Sequence, residues 1–232
     1  MDATDATTTH TYQEAGAFEA KLAVTDAKGA RDTDTVRISP GNTPPVAKIE
    51  GPSATRTWRV GAEIPFSGSA TDEQDGALAP ARLSWSLILH HCYPGGDCHK
   101  HSVQDFSGMA SGSFFAPDHA YPAYLELRLT ATDSGGLTST RNVLLDPRTV
   151  RLSFASRPTG VRLVVGSVGK RAPFARKMIV GSSTSISAPS RFKAGGQSYR
   201  FRRWSDGRAR SHNIVAPAAD TMYKAIYRQR RR

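Results

Sequence analysis

A pattern that occurs twice constrains this chain more than any other feature. The first copy reads His10-x-Tyr12, then an alternating run from Phe18 to Asp26 and Gly29, then residues 34–38. The second reads His119-x-Tyr121, then Tyr124 to Asp133 and Gly136, then residues 141–145. Apolar and polar residues alternate at period two in both, as in half-buried strands. Asp-x-x-Gly lies between the two runs, a tight turn whose glycine needs a positive φ. Each copy therefore predicts a strand–turn–strand hairpin that closes a domain, and the repetition predicts tandem modules.

The boundaries follow. Asn42-Thr-Pro-Pro45 is a stiff linker of polyproline type, because two prolines cannot extend a central strand. After it, residues 46–49, 64–66 and 83–89 read as strands. With the closing hairpin they predict a sandwich of seven or so strands over 43–147. Residues 1–39 hold only the closing half of that pattern, so the chain is expected to be a fragment lacking its N-terminal part and any signal. Met1 is followed by Asp-Ala-Thr-Asp, not by a basic start and an apolar core. A third module is expected over 148–228, with strands at 150–154, 161–165, 177–180, 199–201 and 223–227, then a basic tail at 229–232. In it Trp204 is expected to cap a small core, with Asp206-Gly207 forming the next turn. The fold class is all-β throughout.

His10-x-Tyr12, the hairpin ending at Asp26 and the Asn42-Thr-Pro-Pro45 start resemble domains of the polycystic-kidney-disease (PKD) type. These are immunoglobulin-like sandwiches of extracellular proteins. Residues 1–39 match as a C-terminal half, and 43–147 in diverged form. Ser84-Trp-Ser-Leu-Ile88, the His90/Cys92/Cys98/His99 stretch and residues 116–126 resemble the C-terminal appendage of secreted actinobacterial sugar dehydrogenases of the glucose/sorbosone type. There a β-propeller carries the chemistry; none is present here, so neither its activity nor its quinone carries over. The Trp204-Ser-Asp-Gly207 turn resembles a bacterial surface-repeat module. The resemblance implies tandem immunoglobulin-like sandwiches plus a small C-terminal β-rich module, in a secreted, extracellular setting.

The net charge of +11 hides a division. Residues 1–146 carry 11 Lys+Arg and 18 Asp+Glu, whereas residues 147–232 carry 20 and 2. Such asymmetry points to a partner rich in negative charge, or else to arginine on solvated strand faces. Residues 148–232 are thus a candidate polyanion-binding region. No aromatic-interleaved stripe or nucleic-acid motif accompanies the arginines, so specific nucleic-acid recognition is not expected. No stretch of about 18 apolar residues predicts a membrane span.

Four histidines and both cysteines of the chain lie within residues 90–101: His90, His91, Cys92, Cys98, His99 and His101. They could supply ligands for zinc or copper. In an oxidising compartment, two cysteines six apart across Pro-Gly-Gly more simply form a disulfide, leaving only histidines. Asp72 and Asp75, in an acidic turn ending at Gly76, could serve calcium, which prefers hard oxygens. The PKD-type resemblance adds Asn42 and the backbone of Thr43 to that set. Tyr93, Tyr124 and Trp58 are candidates for stacking on sugar rings, although Tyr12 and Tyr121 read as corner residues. Period-two spacing places Glu126 and Asp133 on surfaces. No Gly-x-Ser-x-Gly elbow, spare thiol, opposed carboxylate pair or phosphate-cradling loop occurs. The expected function is a non-catalytic extracellular spacer or interaction region, an appendage of a secreted sugar-acting enzyme. The alternatives are binding of a carbohydrate or polyanion, such as cell-wall glycan, or of a metal through the His/Cys stretch.

Overall fold

The computed structural model describes residues 3–93 and 96–229, and is almost entirely β. The expected tail at 229–232 falls largely outside these residues, as do Pro94 and Gly95 of the Pro-Gly-Gly segment.

Strands β1 (Phe18–Thr25) and β2 (Arg31–Ile38) pair only with each other. The turn between them is as expected: Gly29 has φ 86°, and Asp26 Oδ1 accepts from the amides of Lys28 and Ala30, both at 2.8 Å. Phe18, Leu22, Val24 and Val36 lie on one face of this ribbon and are all exposed. The half-domain has no core of its own.

The second module comprises β3 (Val46–Gly51), β4 (Glu63–Asp72), β5 (Gly76–Ala77), β6 (Leu83–Cys92), β7 (Cys98–Ser107), β8 (Ser111–Phe115), β9 (Ala123–Thr132) and β10 (Thr138–Leu145). One sheet runs β10-β9-β6-β7; the other contains β3, β4 and β5, with β8 on the free side of β4. Alternate residues of β6 (Leu83, Trp85, Leu87, Leu89) and β9 (Leu125, Leu127, Leu129, Ala131) fill the space between the sheets. Phe66 packs against Trp85 at 4.7 Å and Phe106 at 5.0 Å between ring centroids. Gly68 lets the strands close on this cluster. A Cβ there would sit 2.7 Å from the Lys48 carbonyl oxygen and 2.8 Å from the Trp85 ring.

The third module comprises β11 (Thr149–Arg157), β12 (Arg162–Val165), β13 (Val168–Arg171), β14 (Phe174–Ile179), β15 (Ser183–Ser187), β16 (Arg191–Ala194), β17 (Gln197–Trp204), β18 (Ser211–Val215) and β19 (Thr221–Gln229). A five-stranded sheet, β14-β11-β19-β17-β16, faces a four-stranded one, β13-β12-β15-β18, over a second core. Strands β11 and β19 pair in parallel. Trp204 is fully buried, its Nε1 donating to the Arg210 carbonyl at 3.0 Å, and Gly207 turns the chain with φ 78°.

The second and third modules share a junction. The Arg148 amide donates to the Trp58 carbonyl at 2.6 Å, and the Val60 amide to that of Val180 at 3.0 Å. Ile179, from the third module, belongs to the core of the second.

Candidate functional site

The stretch expected to be a His/Cys loop is a β-hairpin, with Cys92 ending β6 and Cys98 opening β7. The two are disulfide-bonded. The histidines therefore lie on strands, and period-two alternation sorts them. Antiparallel register sets His91 opposite His99, and Leu89 opposite His101. These side chains lie on the face that carries the core further down, and emerge at its rim. His90 points to the other face and is removed from the expected ligand set.

A residue that sequence reasoning did not select completes the group. His119, in the segment between β8 and β9, packs edge-on against His91 at 4.5 Å between ring centroids. His99 lies 5.0 Å from His91 and 4.6 Å from His101. One ring nitrogen from each of His91, His101 and His119 falls within 4.8 Å of the others. Among the described residues this is the one convergent set of three or more His, Cys, Asp or Glu ligand atoms. His119 Nδ1 lies 3.1 Å from the Ala120 carbonyl, which can only accept. Nδ1 thus carries the proton and Nε2 keeps its lone pair. Partial burial, then the neighbouring His119, His99 and His101, push the His91 imidazole below its ordinary range.

On the opposite face, His90 Nε2 meets Glu126 Oε2 at 2.7 Å, both side chains being buried. Arg128 donates twice to Glu126 Oε1, at 2.7 and 3.1 Å. Burial by itself would raise the Glu126 carboxyl, but the hydrogen bonds from Arg128 and His90 outweigh it and hold the group below the usual carboxylate range. The surface position expected for Glu126 is corrected, as is that of Asp133, which is fully buried. Glu126 retains its charge indoors because hydrogen bonds from Arg128 and His90 replace water.

The calcium set forms a clasp of hydrogen bonds between three connections. Asn42 Nδ2 donates to Asp133 Oδ2 at 2.8 Å. Asp72 Oδ1 accepts from the amides of Gln74 and Asp75, both at 2.9 Å. Both Asp75 oxygens accept from Ser134, its amide at 2.6 Å and its hydroxyl at 2.7 Å. The Thr43 amide donates to Gln74 Oε1 at 3.0 Å. Asp72 Oδ2 is the buried oxygen of the set without a protein partner. Calcium takes about six to eight oxygens, and here both Asp75 oxygens and Oδ1 of Asp72 already accept from protein donors.

Of the aromatic candidates, Trp58 is corrected. It is 1% exposed, with Nε1 donating to the Leu145 carbonyl at 2.9 Å, and its ring lies in the core of the second module. Tyr124 stacks on His90 with centroids 4.4 Å apart, so one ring face is taken. Tyr93 is exposed, beside His91 and His99.

The positive charge of the third module is organised by register. On the outer face of the five-stranded sheet, Arg191 is set opposite Arg200, and Arg200 opposite Arg228. Arg151 is set opposite Lys177 on the other flank. Arg157, Lys193, Arg203 and Lys224 are also exposed on these strands. Among the described residues none of these cations has a carboxylate within salt-bridge distance. Arg191, Arg200 and Arg210 line a shallow groove with Ser190 and Phe201.

No family model matches this chain, and no curated protein matches it. Among the described residues no helix is long and apolar enough to cross a membrane.

Proposed function

We propose that the chain is a secreted spacer and surface-association region, whose third module holds to an acidic extracellular polysaccharide. The observation that carries this reading is the cationic ladder Arg191–Arg200–Arg228, three like charges in register across adjacent strands. Like charges directly opposite on a sheet destabilise it. An anionic polymer along the ladder removes that repulsion while releasing its own counterions. Arginine suits this task because its planar fork matches carboxylate and phosphate groups.

The shared junction supports the spacer part, since the Arg148–Trp58 and Val60–Val180 backbone hydrogen bonds and Ile179 tie the two sandwiches together. The disulfide is compatible with an oxidising compartment. The repeated Asp-x-x-Gly hairpins, with Gly29 and Gly136 both at φ 86°, support a PKD-type reading of residues 1–39 and 43–147.

Binding to a polyuronate or teichoic acid, compared with an uncharged glucan, tests the reading. The acidic polymer should bind, and its affinity should fall at least about tenfold between roughly 50 and 200 mM salt. Equal binding of the neutral glucan, insensitive to salt, would overturn the assignment. Stronger retention of nucleic acid than of acidic polysaccharide would change the partner class.

A further inference from the structure

We propose that His91, His101 and His119 form a binding site for one divalent zinc or copper ion at the rim of the second module. Three features on the molecule carry this.

The first is convergence. A point central to three atoms no more than 4.8 Å apart lies within about 2.8 Å of each. Small side-chain rotations of under about 1 Å bring the nitrogens to the ~2.0–2.1 Å of a zinc–imidazole bond. The second is the state of the rings. Among the described residues no protein hydrogen bond engages a ring nitrogen of His91 or His101. The Ala120 carbonyl fixes the His119 tautomer that leaves Nε2 free to ligate. A backbone acceptor on the far nitrogen is the usual support of a metal-bound imidazole. The third is preorganisation. The Cys92–Cys98 bond closes the hairpin one residue beyond the His91–His99 pair and holds the register of these strands.

Donor chemistry selects the ion. The disulfide consumes both thiolates, so the set offers imidazole nitrogen, which suits zinc(II) and copper(II) rather than calcium or magnesium. His99 packs edge-on against both His91 and His101, with ring centroids 5.0 and 4.6 Å away.

The test is calorimetric titration of the full, untagged, oxidised chain with zinc chloride, then with copper sulfate, in a non-coordinating buffer. One equivalent should bind. His119→Ala and His101→Ala should each weaken zinc binding by at least about tenfold, whereas His10→Ala, remote from the site, should leave it unchanged. Circular dichroism confirms that each variant is folded. In the copper complex, electron-spin-echo modulation from imidazole nitrogen should be present and should diminish in both site variants. Absence of one-equivalent binding for both ions overturns the proposal, as does affinity unchanged in His119→Ala and His101→Ala.

Discussion

At the scale of single residues, burial decides what each polar group can do. Glu126 keeps its charge beside Arg128 and His90, with its carboxyl held below the ordinary value of 4.5. A carboxyl depressed in the folded state contributes stability above that ordinary value, and the contribution is lost as pH falls through the folded one. The melting temperature of the wild type should therefore drop on acidification from about pH 5 to pH 3. Glu126→Gln should flatten that limb and cost about 1–3 kcal/mol at neutral pH. An unchanged acid limb in the variant would contradict the role of the pair. Trp58 is the apolar counterpart in the core of the second module. Trp58→Ala should destabilise by about 3–5 kcal/mol in calorimetry, without loss of the disulfide. A neutral effect would mean that this ring does not anchor the core of the second module.

At the scale of elements, what was legible in the sequence depended on which face of a strand met the core. The hairpins around Asp26-x-x-Gly29 and Asp133-x-x-Gly136 could be read in advance, because their glycines turn at the same φ of 86°. Strand β7 could not. It lies at a sheet edge, and its side chains are almost all exposed, so no apolar alternation marks it. That hid the fact that the histidines lie on paired strands, where parity separates His90 from His91. His119 was hidden differently. Its match to His10 presented it as part of the repeat, whereas only the folded chain brings it beside His101, 18 residues earlier in sequence. The β1–β2 ribbon carries a further consequence. With Phe18, Leu22, Val24 and Val36 exposed on one side, it offers an uncovered apolar face. A shortened chain beginning at Asn42 should show less light scattering and less binding of a hydrophobic dye than the full chain. It should keep the melting temperature of the two sandwiches. Equal scattering by both chains would contradict this account.

At the scale of the whole molecule, charge and fold are distributed together. The count of 20 Lys+Arg against 2 Asp+Glu over residues 147–232 was plain in the sequence. Its arrangement was not, because the Arg191–Arg200–Arg228 ladder depends on register between β16, β17 and β19, two of which are not consecutive in the chain. Unpartnered like charges in register place binding and stability in opposition. The triple variant Arg191→Gln, Arg200→Gln, Arg228→Gln separates the two most directly. Its melting temperature and its affinity for an acidic polysaccharide should be measured together, at low salt. The proposed function requires the free variant to melt higher, its stability raised by up to about 1 kcal/mol, while its affinity falls and its salt dependence becomes shallower. Affinity and salt dependence equal to those of the wild type would contradict the polysaccharide-binding role of this sheet.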